Sequence, residues 1–546
     1  MKWLFSCLTL VSVVLSNIIE PLPVYIALYQ QNHDILEGRL EEISDPFSLH
    51  YGNWMTMDEI NRFVQPPVED QNRVLSWIAN YSVTNLENYG DAVKFSAEAE
   101  VVCEMFQISD CTSDRWGYSI PVELRDVIEF VEMASRYPKH APKINRTGST
   151  TDDRLFGREP MVAMYNITAT DVNGATFSAG VAEYQNNEGF LNEDVDIQQI
   201  LNEQPVRNVT HIVGVNTGTD IESELDVQMV SQAADGVQLW YWSSPYWLYS
   251  LAVDFLHTEV VPDVVSMSWG WAADQQCTII DCSHITSHAY VNRVNTEYLK
   301  IALRGVTLVA SSGDAGAPGR TNQQCDSKRP INPIFPGSSP YVLSVGATYV
   351  PMENVTRNYT TPLCLQKGCI AGRDERSVQY NATGWTAGGG FSIYRNTTPH
   401  WQAVAVKGYL DSGITLPKEG NFNPKGRAYP DVSAIGHSCP TVIGGYVQAI
   451  DGTSCSAPVV AGLISLLNGH LLAKNRSRVG FVNPLLYRMH VECPECFRDI
   501  THGYNWCTEG GCCENTTDYG FQAMPGYDPV SGLGTLNVGN ILAYLD

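Results

Sequence analysis

The sequence predicts an α/β protein, a doubly wound and mostly parallel sheet preceded by a small α+β unit. Three observations carry this. The chain has 546 residues, of which 44% are hydrophobic, so it is too long for one ordinary domain and can bury a large core. Beyond Met161, short β-branched runs alternate with helical segments, the pattern of a parallel sheet covered on both faces. Ahead of that region, residues 136–159 (RYPKHAPKINRTGSTTDDRLFGRE) lose apolar periodicity and gather basic, Gly, Ser and Thr residues, which reads as an exposed linker open to proteolysis.

In the leading unit, residues 23–29 (PVYIALY) alternate like a strand, and Leu36, Leu40 and Ile43 mark a short amphipathic helix. The next helix opens with a capping box, Thr56 with Glu59, and stops before Pro66 and Pro67. A helix over 72–80, a strand over 92–102 and a helix over 121–134 complete the unit. Beyond the linker, residues 211–215, 261–267, 306–310 and 341–345 are bounded by Gly, Ser or Asp and read as strands, with helices over 222–233 and 292–303 between them. Near the far end, Gly452, Thr453 and Ser454 form a tight polar turn. The apolar run 459–467 after it reads as a buried helix with Pro458 in its first turn.

Charge and cysteines narrow the setting. With 59 acidic against 34 basic residues the formal charge is −25, which excludes nucleic acid and anionic membrane as partners and suits an acidic compartment, where part of the self-repulsion is titrated away. Lys2, the apolar run 3–15 and small Ser16 form a signal peptide over residues 1–16, too short for a membrane span. The secretory route makes disulfides the expected state of the cysteines. Fourteen remain once Cys7 leaves with the signal. An even number permits full pairing, and a free buried thiol at Cys455 would leave one unmatched. Cys493 and Cys496 read as a disulfide rather than a zinc or redox pair, and Cys507, Cys512 and Cys513 as staples of an insertion. Ten N-x-S/T sequons, at Asn80, Asn145, Asn166, Asn208, Asn354, Asn358, Asn381, Asn396, Asn475 and Asn515, agree with a luminal or extracellular glycoprotein. A small leading domain on a cleavable linker is the layout of a proenzyme.

Ser454 would stand at a helix N-terminus, where unpaired N–H groups and the helix dipole favour charge developing beside its oxygen. An N-capping residue before a core helix has the same appearance. A nucleophile needs a base, yet none of the twelve histidines sits in an HGT context, no DTG or DSG motif precedes one, and no G-x-S-x-G elbow occurs. Glu222 and Asp226 are four apart in ESELDVQ, so their carboxylates share a helix face. Facing a buried site, they would form an acid pair that holds a proton tightly; facing water, an ordinary solvated face. Asp314 follows a strand in SSGDAG, where an open α/β sheet presents functional side chains and where turn-forming Asp is also common.

These motifs resemble those of the sedolisin family of serine carboxyl peptidases. The family's S-G-T-S-A-S becomes D-G-T-S-C-S at Ser454, its E-x-x-x-D-V-Q becomes ESELDVQ, and its S-G-D-x-G-A becomes SGDAGA at Asp314. SSPY (338–341), GGGFS (388–392), GRAYPDV (426–432) and, in the leading unit, SDPFSLHYGNWMT match in the same order. The resemblance implies a subtilisin-like peptidase domain over 160–546, a ferredoxin-like prodomain over 17–135 acting as an intramolecular inhibitor, and a cleavable linker over 136–159. It implies Ser454 as nucleophile, Glu222 as base, Asp226 as its orienting partner and Asp314 at the oxyanion. One structural Ca²⁺ would be held by Asp499 and Asp528 through side chains and by Ile500, Met524 and Gly526 through carbonyls, with Met524 standing where the family has glycine. Asp451, Cys455 and Ala457 also depart from the family pattern, beside the nucleophile. The implied activity is acid hydrolysis of peptides or unfolded proteins, releasing tripeptides from free N-termini, in a lysosome or acidic vacuole or outside the cell. Internal cleavage by the same chemistry, and an inactive luminal glycoprotein retaining the fold, are the competing readings.

Overall fold

The computed structural model describes residues 21–110, 117–136, 154–167, 175–185, 189–351, 358–372, 374–395, 397–514 and 516–546, with the backbone alone of 143–144 and 516. The expected signal segment lies outside them, as do the sequons at Asn145, Asn354, Asn396 and Asn515.

The main sheet sets nine strands side by side in the order His211–Val213, Gln238–Ser243, Ser178–Glu183, Val264–Met267, Thr307–Ser311, Leu343–Tyr349, Val432–Ile435, Thr535–Leu536 and Phe497–Arg498. Every neighbouring pair is parallel except the last. Arg376–Ser377 adds an antiparallel edge to Leu343–Tyr349. Strands such as Ser178–Glu183 and Thr307–Ser311 are buried at every position because helices cover both faces. Ile221–Ala233 and Thr453–Ala473 cover one face, Leu248–Leu256 and Ser287–Leu303 the other. Thr453–Ala473 is long and apolar enough to cross a membrane by length and composition, and its apolar window is 94% buried within this core. It crosses Ile221–Ala233 closely: a Cβ added to Gly462 would lie 2.6 Å from Cβ of Ala233. That approach draws the N-terminal ends of the two helices into one site.

The leading domain is a second layer. Its antiparallel sheet runs Thr84–Asn88, Ala92–Ala97, Leu22–Leu28, Ile128–Glu132, the ferredoxin-like order. Alternation along Leu22–Leu28 explains its place. Val24, Ile26 and Leu28 enter the domain's own core with Val74 and Phe106, while Tyr25 and Ala27 face the peptidase core with Tyr249 and Val253. The capping box of Met57–Val64 is present in both directions, Thr56 with Glu59.

Five expectations need correction. The segment 121–134 is not a helix: a short turn, Val122–Leu124, leads into the strand Ile128–Glu132, which pairs with Leu22–Leu28. The strand expected over 92–102 ends at Ala97, and Ala99–Phe106 is a helix. Pro458 is the sixth residue of its helix rather than a first-turn residue. Cys455 is not a free thiol. It is bonded to Cys439, and every described cysteine is in a disulfide, including Cys493–Cys496, Cys507–Cys512 and Cys325–Cys513. The linker, read as exposed, is also partly docked: Lys143–Ile144 pairs antiparallel with Tyr446–Asp451.

Candidate active site

Gly452 precedes the helix Thr453–Ala473 with φ 156° and ψ 160°, a backbone region open essentially to glycine alone. Thr453 and Ser454 are therefore turned inward as the helix's first two residues. Thr453 donates its backbone N–H (2.8 Å) and its hydroxyl (2.7 Å) to the same oxygen of Asp314, and accepts from the N–H of Gly313 (3.2 Å). Asp314 stands three residues past the strand Thr307–Ser311, at the carboxyl edge of the sheet. The Asp314 oxygen that Thr453 leaves free meets Arg320, 3.1 Å away.

On the other side, Asp220 caps Ile221–Ala233 by accepting from the N–H of Glu222 (2.8 Å), which aims Glu222 and Asp226 toward Ser454. Burial pushes Glu222 up to about 8, with the hydrogen bond from Ser454 opposing it. Burial, reinforced by the neighbouring charge of Glu222, raises Asp226 well above the carboxylate range. Both carboxyls thus favour their protonated forms in the closed chain. Glu222, Asp226, Asp314 and Ser454, far apart in sequence, form one cluster.

Sequence reasoning missed several neighbours. Pro458 has no N–H to give the carbonyl of Ser454 four residues before it. Ser268, just past Val264–Met267, lies 3.4 Å from that carbonyl and 2.9 Å from Asp226 Oδ1. One hydroxyl carries one proton, so both contacts are served together only when Asp226 brings its own, the form that burial favours. Glu183, at the end of its strand, accepts from the indole of Trp269 (2.8 Å) and is among the charges that raise Asp226. Asp451 accepts from His437 (2.8 Å) and from the N–H of Ser438 (2.8 Å), so Asp451 and Cys455, on either side of Ser454, are both tied to residues 437–439.

The expected calcium residues also meet. Asp528 is fully buried, accepts from the N–H groups of Met524 (3.0 Å), Val530 (2.9 Å) and Ser531 (2.8 Å), and is pushed up to about 7 by burial. Asp499 accepts from the N–H of Gly526 (2.8 Å), and the carbonyl of Ile500 accepts from Ser531 (3.2 Å). Met524 and Gly526 thus present N–H groups to the two carboxylates.

A serine beside an acid pair, with a third carboxyl fixed at a helix N-terminus on a doubly wound sheet, is equipment for acyl transfer in acid. The comparisons agree. Residues 17–110 match the Pro-kumamolisin activation domain, and residues 175–471 the Subtilase family. The chain is 37% identical over 540 residues to physarolisin of Physarum polycephalum, covering 95% of this chain and 92% of that protein. It is 30% identical over 567 residues to tripeptidyl-peptidase 1 of Macaca fascicularis, covering 96% and 92%. Pseudomonas sedolisin, a serine-carboxyl proteinase, superposes with a TM-score of 0.52 at 23% identity over 72% of this chain and 98% of that one. The chain belongs to the subtilase family and is a sedolisin-type serine peptidase, made as a zymogen with an activation domain.

Proposed function

We propose that Ser454 attacks the peptide carbonyl, that Glu222 takes its proton and returns it to the leaving amine, and that Asp226 orients Glu222. Asp314, protonated, donates to the oxyanion where neutral-pH serine proteases use a backbone N–H or an Asn. The observation that carries this reading is the double donation of Thr453 to Asp314, which fixes a carboxyl one residue from the nucleophile. A carboxylate is a weak base for a serine hydroxyl unless the developing oxyanion is neutralised, so the two acid functions need each other.

Residues 17–135 act as an intramolecular inhibitor joined through a cleavable linker over 136–159. Trp54 of the leading domain fills the space over Gly305 and Gly480, where an added Cβ would lie 2.3 and 2.2 Å from its ring. Glu132 accepts from the N–H groups of Trp247 (3.2 Å) and Ser250 (3.0 Å), at the N-terminus of Leu248–Leu256. The linker strand Lys143–Ile144 lies on the strand that ends at Asp451, three residues before the nucleophile. With this linker docked and Glu222 protonated, the base is silent. Cutting the linker opens the cleft to water and returns Glu222 toward its ionised form.

The substrates are peptides or unfolded proteins, and the product is the tripeptide from a free N-terminus, the activity named for the tripeptidyl-peptidase 1 relatives. The setting is the secretory pathway, ending in a lysosome, an acidic vacuole or the extracellular space. The exposed sequons at Asn80, Asn208, Asn358, Asn381 and Asn475 are the glycan sites; the amide of Asn80 donates locally to the carbonyls of Ser76 (3.1 Å) and Trp77 (3.2 Å), and the less exposed Asn166 is engaged with Asn537 (2.8 Å). Asp499, Ile500, Met524, Gly526 and Asp528 hold one Ca²⁺. The two carboxylates, one of them fully buried, and the carbonyl of Ile500 are oxygen donors that suit that cation, whereas Met524 and Gly526, whose N–H groups face the carboxylates here, would have to turn their carbonyls toward it.

Acidifying the purified proenzyme and sequencing its new N-terminus tests the maturation step. The mature enzyme is then given one peptide with a free amine and the same peptide acetylated. Tripeptide release from the free form alone is expected. Equal cleavage of both makes the enzyme an endopeptidase.

A further inference from the structure

We propose that Arg320, held by Glu509, is a positioning residue of the catalytic cluster, its guanidinium serving Asp314 and Glu222 together. The proposal rests on the roles given above to those two carboxyls.

Arg320 opens the short turn Arg320–Asn322, six residues after Asp314. Its Nη2 is 3.1 Å from Asp314 Oδ2, and its Nε is 2.8 Å from Glu509 Oε1. Thr453 already occupies the other Asp314 oxygen, so Arg320 orients the one that is left to face a substrate. The side chains of Asp314, Arg320 and Glu509 are 14%, 22% and 17% exposed, enough for a site mouth and too little for a solvated surface pair. A guanidinium is planar and charged at every working pH, so two carboxylates on different edges fix both its position and its plane.

The segment that carries Glu509 is built to hold it. Cys507 and Cys512 close a small loop around it, and Cys513 is bonded to Cys325, five residues past Arg320. Tyr519 donates to the carbonyl of Cys325 (2.9 Å). The N–H of Ala317 donates to the carbonyl of Asn505 (2.8 Å), and Gly316 passes so near that an added Cβ would lie 2.0 Å from the carbonyl of Cys507. The insertion is thus laced to the loop of Asp314 on both sides of Arg320.

Glu222 feels several charges. Asp226 and Asp220 lie on its own helix and cap, Asp314 faces it from the strand end, Ser454 from the nucleophile helix, and Glu183 reaches it through Asp226. Among the charges acting on Glu222, Asp314 and Asp220 raise it and Arg320 lowers it. Arg320 therefore favours the ionised base, and on Asp314 it fixes the oxygen that must carry the proton given to the oxyanion. Without it, Glu222 keeps its proton to higher pH and the acid limb of activity moves upward.

The test compares Arg320→Gln, Arg320→Lys and Glu509→Gln in the full-length proenzyme, matured with a trace of wild-type enzyme and assayed from pH 2.5 to 7 on a peptide that the wild type cleaves. Arg320→Gln is expected to lower kcat by roughly tenfold or more with KM within threefold, and to move the acid limb up by about one pH unit. Arg320→Lys should restore the limb and part of kcat, and Glu509→Gln should fall between. A kcat within threefold of wild type in Arg320→Gln overturns the proposal, as does equal loss in the Gln and Lys variants with an unmoved limb. Asp314→Asn is the control on the parent reading: if it stays active, the role of Asp314 is wrong and the proposal falls with it.

Discussion

Thr453 gives two hydrogen bonds, from its backbone N–H and its hydroxyl, to a single oxygen of Asp314 at 2.8 and 2.7 Å. The neighbour in sequence of the proposed nucleophile is therefore the support of the carboxyl proposed for the oxyanion. Thr453→Val keeps the shape and the backbone bond but removes the hydroxyl. It is expected to lower kcat on the order of tenfold or more with little change in KM, whereas Thr453→Ser keeps most of the rate. Steady-state kinetics on the mature variants decides this, and an unchanged kcat in the valine variant would deny Thr453 the role.

Asp91 of the leading domain and Lys300 of the peptidase domain lie 2.7 Å apart with both side chains 1% exposed, and Arg293 beside them donates to Glu129 (2.7 Å) and to the carbonyl of Leu28 (2.6 Å). The Lys300 and Arg293 charges hold Asp91 well below the usual carboxylate range despite its burial. Acid of the strength needed for maturation leaves this contact intact, so cutting the linker must come before release. In a precursor silenced by Ser454→Ala, Asp91→Asn removes one of the two carboxylates that hold buried Lys300, leaving Glu297, and should cost about 1–3 kcal/mol, read as a lower urea midpoint. A midpoint equal to that of the parent would show that the pair contributes nothing.

Glu222, Glu224 and Asp226 are all raised, the first two to about 8 and about 7, with burial the first cause in each. In the unfolded chain such groups ionise near pH 4. Between about pH 4 and these raised values the native state binds more protons than the unfolded state, so stability falls as pH rises. The benefit is complete below about pH 4 and is lost toward pH 7 to 8. Asp91 works the other way, but only below that window. The Ser454→Ala precursor should thus have a higher urea midpoint at pH 4.5 than at pH 7.5; the reverse order would contradict these burials.

Prolonged incubation with EDTA should lower the thermal transition of the mature enzyme, and added Ca²⁺ should restore it, because the buried carboxylate of Asp528 loses its counter-charge. A transition unmoved at any chelator concentration would remove calcium from the assignment.

Much of this was legible because the chemistry lies on regular elements. Glu222 and Asp226 are marked by four-residue spacing, Asp314 by the end of a strand and Ser454 by a Gly-Thr turn before an apolar run, each with an ordinary structural reading until the family resemblance sets them together. What escaped depends on tertiary partners. Residues 128–132 (IEFVE) form a strand because Leu22–Leu28 lies beside them, and Thr84–Asn88, exposed at every position, has no alternation to read. Ser268, Glu183 and Trp269 are single residues at strand ends with no local motif. Cys439 and Cys455, sixteen apart, meet only because a hairpin returns the chain to the nucleophile helix. Arg320 and Glu509 are brought together across 189 residues by a disulfide-laced insertion.

The most direct test of carboxylate-driven acid catalysis is the pH dependence of kcat/KM for the mature enzyme and its Asp314→Asn variant, from pH 2.5 to 8. A bell with its maximum at roughly pH 3 to 5, and a loss of about 100-fold or more in the variant across that range, are expected. A maximum near pH 8, or a variant as active as the parent, would contradict it.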